Sequence, residues 1–132
     1  MATLDDALTQ LGSAYGLHEV ARAAARLAAG HDLDVHGVRI APAERRVWVD
    51  GTEVHLTPHE YDLLLYLAAR AGTAVTRPEL LREVWKYKFP VESKVINVAI
   101  GHLRAKLGES GQHPRRIITV DSVGYRFDPG EV

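Results

Sequence analysis

Two helix starts are spelled out in the side chains of this chain. Thr57-Pro58-His59-Glu60 puts a hydroxyl at the N-cap, a proline at the first helical position and a carboxylate three residues after the cap. Together these make a capping box. Thr76-Arg77-Pro78-Glu79 repeats the arrangement. Behind the first start, Tyr61, Leu64, Leu65 and Ala68 recur at helical spacing, with Leu63 and Leu67 broadening the apolar stripe and Gly72 closing it. Behind the second, Leu80, Leu81, Val84 and Trp85 predict a short helix. The segment 86–93 contains Pro90 and reads as a loop. A third helix over 94–107 follows, with a core stripe of Ile96, Ile100, Leu103 and Leu107; Gly108 and Gly111 end it.

Before and after these helices the apolar period changes. Val38–Ile40 and Arg46–Val49 read as strands joined by a turn at Pro42. Asp50-Gly51 demands a hairpin turn with positive φ, and Val54–Leu56 is the expected returning strand. Ile117–Val120 and Tyr125–Phe127, joined through Asp121-Ser122-Val123-Gly124, predict a final hairpin. At the other end, residues 3–15 and 17–29 each carry an apolar helical stripe, with Gly12 and Gly16 between or beside them and Gly30 as a C-cap. The expected architecture is α+β. A helical N-terminal extension occupies 1–36. A winged helix-turn-helix domain occupies 37–132, built from a small antiparallel sheet, three helices and a C-terminal β-hairpin wing.

Charge divides along the same lines. Residues 1–76 hold six Lys/Arg against ten Asp/Glu, a net −4, whereas residues 77–127 hold ten against five, a net +5. A basic half on an acidic base steers a polyanion to one face. The whole chain is at −1, less basic than most nucleic-acid binders. It has no cysteine, which excludes disulfides and thiolate metal sites. No apolar run reaches the length of a membrane span and the acidic N-terminus is unlike a secretory signal, so a cytoplasmic location is expected.

The ordered segments resemble the effector domain of OmpR/PhoB-type bacterial response regulators. The resemblance covers residues 37–127. Leu56-Thr57-x-x-Glu60-Tyr61-x-Leu63-Leu64 is similar to that family's first helix, and Val75-Thr76-Arg77-x-x-Leu80-Leu81-x-x-Val84-Trp85 to its second. Val98-x-Ile100-x-x-Leu103-Arg104-x-Lys106-Leu107 is similar to its recognition helix, and Ile118-Thr119-Val120-x-x-Val123-Gly124-Tyr125-Arg126-Phe127 to its wing. The resemblance implies a transcriptional regulator binding double-stranded DNA, with no cofactor and no enzymatic activity. It also implies phosphate contacts from Trp85, Lys94, Arg104, Thr119 and Tyr125, and base or groove contacts from Asn97, Val98, Gly101 and His102. Members of the family carry a phosphorylated receiver ahead of this domain. Only 36 residues stand there, so control is expected through the helical arm, a partner or abundance. The arm suits packing on the domain as added core or, as its functional reading, a homodimer, and the connector 86–93 suggests a contact with RNA polymerase.

Plainer readings stand beside these. Trp85 equally suits packing of the second helix, Tyr125 and Phe127 suit wing core, and Arg115-Arg116 suit a solvated pair better than a phosphate clamp. The recognition helix has Gly101 and His102 where the family often has Arg or Lys. The wing has Asp121-Ser122 where the family has Arg-Gly, and Ala99 replaces a family histidine. Lost cationic contacts predict weak, A·T-leaning or cooperative DNA binding. They also leave Val95, Val98, Ala99, Gly101 and Ala105 as a smooth apolar face. That face suits a second reading, a winged helix serving as a protein-binding module or adaptor. His55 and His59 flank a strand-to-helix junction that denies them a shared helical face, and no Gly-rich phosphate loop or nucleophile elbow is present, so neither a metal site nor an enzyme is expected.

Overall fold

The computed structural model describes residues 30–86 and 94–130. The expected helices over 3–15 and 17–29 lie outside the described residues, as does most of the 86–93 connector. The chain opens on a four-stranded antiparallel meander: β1 (Leu33–Val35), β2 (Val38–Ala41), β3 (Arg46–Val49) and β4 (Thr52–Val54), paired in that order. Three helices follow, α1 (Pro58–Ala69), α2 (Arg77–Glu83) and α3 (Lys94–Lys106). A second sheet is formed by β5 (Ala74–Thr76), β6 (Ile117–Val120) and β7 (Gly124–Phe127), in the order β5-β7-β6.

Alternation explains the first sheet. Val38, Ile40 and Val47 point inward and are buried, while Arg39 and Trp48 pair across strands on the outer face. There the Arg39 and Arg46 guanidiniums sit 5.0 and 4.8 Å from the Trp48 ring. Asp50-Gly51 makes the expected turn, with φ of 49° and 86°. His36-Gly37 makes a second of the same kind, with φ of 49° and 77°. This hairpin, and with it β1, was not expected, because histidine is not among the residues that mark such turns. Leu33–Val35 therefore belongs to the sheet rather than to a helical arm, pairing Leu33 with Ile40. The strand expected at Val54–Leu56 lies two residues earlier, at Thr52–Val54, because the two-residue turn sets the register from Val49 opposite Thr52.

Helix α1 begins with the complete capping box: Thr57 accepts from the Glu60 amide, and the Glu60 carboxylate accepts from the Thr57 amide. Its buried face is centred differently from the expected stripe. Leu63 and Leu67 are fully buried, whereas Leu65 is only partly covered. Helix α2 has half a box. Thr76 accepts from the Glu79 amide, but the Glu79 carboxylate accepts from the Tyr66 hydroxyl on α1 instead of returning to the cap. A tertiary partner thus displaces the local one and ties α1 to α2. Helix α3 buries Ile96, Ile100 and Leu103, and Leu107 just past its end completes the expected stripe.

The wing is a three-stranded sheet, since β5 adds to the expected hairpin. A Cβ on Gly124 would stand 2.0 Å from the Val75 carbonyl oxygen, so only glycine lets β7 approach β5 this closely. At the start of β6, Arg116 is 2% exposed, which overturns its reading as half of a solvated pair. Its Nε donates to the His36 carbonyl at 2.7 Å and its Nη1 to the Leu107 carbonyl at 3.3 Å. Its Nη2 meets both Asp50 carboxylate oxygens at 3.1 Å. Arg115, next to it, is exposed.

Arg116→Ala strips donors from two carbonyls and a carboxylate at once. It is expected to destabilise the fold by about 3 kcal/mol, read as a lower urea midpoint. The Glu60 carboxyl is pushed up by burial, but the Lys106 ammonium at 2.6 Å and the Thr57 amide outweigh this and hold it below the usual carboxylate range. A depressed folded pKa gives stability that is present above the unfolded value of about 4.3 and lost as pH falls through the folded one. Urea midpoints between roughly pH 5 and pH 3 should therefore fall more for the wild type than for Glu60→Gln.

Candidate nucleic-acid interface

The surface singled out by the sequence is built around α3. Its inner stripe lies in the common apolar core, and the helix packs against α1 and α2. Lys94, Asn97, Val98, Gly101, His102 and Ala105 are exposed on the other side. Val98 is the most exposed large apolar side chain among the described residues, at 57%. A Cβ on Gly101 would meet nothing within 4 Å, so no packing demand accounts for the missing side chain there. Val95 and Ala99 are half-buried along the edge.

Two sequence-predicted phosphate ligands are placed otherwise than expected. Arg104 is buried, at 7% exposure. Its Nε and Nη2 donate to the Ile117 carbonyl at 3.0 and 2.7 Å, and Nη2 also donates to the Thr119 hydroxyl at 2.9 Å. The planar guanidinium thus joins α3 to the first wing strand, a task its fixed fork of donors suits. Tyr125 is 4% exposed; its ring lies in the wing and its hydroxyl donates to Asn97 Oδ1 at 2.7 Å. Thr119 is exposed beside Arg104, and Lys94 is exposed at the start of α3.

Trp85 is half-buried just past α2, with its ring 5.8 Å from that of His59 and tilted by 48°. It serves packing, as one reading expected, and still presents an edge. Together with Lys94, Val98, Ala99 and His102 it lines an open groove of about 430 Å³ between the start of α1 and the start of α3. Lys106, the last residue of α3, is engaged by Glu60 and so contributes little free charge.

One residue escaped the sequence reading. Arg77, read there only as part of a helix start, lies 5.2 Å from the Tyr125 ring and backs the wing from the α2 side. No spacing in the sequence joins position 77 to position 125; β5 pairing with β7 does, setting Thr76 opposite Gly124. Ser122, at the tip of the wing, has φ of +63°. This chain thus places a β-carbon in a backbone region that disfavours one.

The comparisons agree with this geometry. The family described as "Transcriptional regulatory protein, C terminal" matches residues 51–127. The DNA-binding response regulator MtrA of Mycolicibacterium smegmatis is 36% identical over 115 residues, which is 83% of this chain and 50% of that protein. The transcriptional regulatory protein KdpE of Mycobacterium tuberculosis is 42% identical over 86 residues, 65% of this chain and 38% of that protein. The chain thus spans half or less of the length of these relatives. Among solved structures, the RstA DNA-binding domain of Klebsiella pneumoniae, in complex with the RstA box, superposes with a TM-score of 0.71 at 32% identity, covering 75% of this chain and 98% of that one. With its wing, its paired helices and more than half of its length matched, the chain belongs to the transcriptional regulatory protein C-terminal family, the OmpR/PhoB-type winged helix-turn-helix.

Proposed function

We propose that the chain regulates transcription by laying α3 in the major groove of duplex DNA while the wing follows the flanking backbone. One observation carries this reading: α3 is buried along its whole back and exposed along its whole front, so a rod of groove width is offered to solvent at a fixed angle. Lys94, Thr119 and the edge of Trp85 meet phosphates. Asn97, Val98 and His102 face base edges, with Val98 suited to a thymine methyl group. Arg104 and Tyr125 support these contacts from beneath, holding wing and helix in register. The relatives' names and the RstA complex support the same assignment.

Two further parts of this reading rest on the sequence. The apolar stripes of residues 3–15 and 17–29 suit pairing of two copies, which raises avidity on DNA without new contacts. The connector 86–93 suits RNA polymerase by resemblance. Solution mass with and without residues 1–30 tests the pairing; an unchanged oligomeric state removes it.

The groove beside Val98 and Trp85 favours the rival reading, a protein-docking surface. Salt separates the two. Affinity for duplex DNA should rise as salt falls, with log K linear in log salt. Lys94→Ala should flatten that slope by roughly one phosphate contact, and Gly101→Arg, which the open space around Gly101 accommodates, should steepen it by about the same. An affinity that does not respond to salt transfers the case to protein docking.

A further inference from the structure

We infer that Tyr125 sets which base edge Asn97 reads, making that asparagine a donor-only contact that prefers guanine to adenine. The inference rests on the DNA-binding reading above. Asn97 lies in the first turn of α3, on its exposed side. Tyr125 comes from β7, far away in sequence, and its hydroxyl donates to the Asn97 Oδ1 at 2.7 Å. The phenol has little freedom. Its ring is buried, with two guanidiniums over it, Arg77 at 5.2 Å and Arg104 at 5.8 Å. Arg104 is itself anchored on the Ile117 carbonyl and the Thr119 hydroxyl.

A carboxamide has one acceptor oxygen, with two lone pairs on the same side, and at the opposite end one amino group with two hydrogens. An asparagine that reads adenine uses both ends, donating to N7 and accepting from N6. Here the acceptor end is turned back to the wing phenol. The Nδ2 end has no hydrogen-bond partner among the described residues and is the end left for a ligand. In the major groove the edge with two adjacent acceptors is guanine, through N7 and O6. Adenine offers one acceptor beside a donor, which the Nδ2 hydrogens oppose. Tyr125 is therefore a positioning residue. It acts through Asn97, and its own hydroxyl faces helix α3 rather than a phosphate.

The test is selection by the full chain from a pool of randomised duplexes at low salt, followed by competition between guanine and adenine at the selected positions. The wild type should fix guanine at one position. Tyr125→Phe keeps the ring and frees the amide to turn. The guanine-to-adenine preference there should fall roughly tenfold while the other positions hold, in line with the discrimination of a two-point base contact. Asn97→Asp, an exposed change that spares the fold, offers only acceptors and should move the preference to cytosine, whose N4 donates. It decides the matter alone if Tyr125→Phe does not fold. Uniform weakening in Tyr125→Phe with an unchanged ratio marks a phosphate contact and overturns the inference. So does an Asn97→Asp protein that selects the wild-type site. If the wild type binds no duplex at any salt, the DNA-binding reading falls and takes this one with it; selected sites that neither variant alters remove this one only.

Discussion

The arrangement turns on the buried guanidinium of Arg116. It reaches the His36 carbonyl in one hairpin turn, the Asp50 carboxylate in another, and the Leu107 carbonyl at the end of α3. Three segments distant in sequence are thereby held to one planar group. A buried arginine is tolerated only when its donors are satisfied, and here two of the three partners, His36 and Asp50, are supplied by turn residues with positive φ. The same geometry explains Gly37. A Cβ there would stand 2.4 Å from the Asp50 Oδ1 and 2.9 Å from the Arg116 Nη2. The N-terminal sheet is thus a base that the end of α3 and the start of the wing grip together.

On this base α3 is secured three ways. Its apolar back fills the core, Arg104 binds the first wing strand, and Lys106 closes on the buried capping carboxylate of α1. Arg104 is thereby withdrawn from the surface, and Lys106, though exposed, has its charge engaged by Glu60. Among the described residues, fewer free cations therefore meet solvent than the Lys/Arg count there suggests, and the outward face of α3 is marked by Val98 and Gly101 as much as by Lys94. Rigidity and charge trade against one another here: the cations that orient the helix cannot also bind phosphate in full.

Much of this was legible in the chain itself. Thr57 and Glu60 form the capping box their spacing announces, Asp50-Gly51 turns as expected, and the stripe from Ile96 to Leu107 is buried throughout. These are local events, set within one turn of helix or one hairpin. What escaped was non-local. Strand β5 exists because β7 comes alongside it, β1 because His36 adopts positive φ under the hold of Arg116 and Asp128. Glu79 is diverted from its own cap by Tyr66, a residue on another helix.

The functional residues divide in the same way. Sequence alone determined the family pattern, the order of helices and wing, and which residues stand on the front of α3, because helical periodicity assigns faces without reference to anything else. Only the tertiary structure decided the roles of the arginines and of Tyr125. Arg104, Arg115 and Arg116 have the same side chain, yet two are buried ligands of backbone carbonyls and one is exposed. The guanidinium's chemistry suits carbonyl, carboxylate and phosphate alike. Which of them it meets depends on what folding brings within three ångströms.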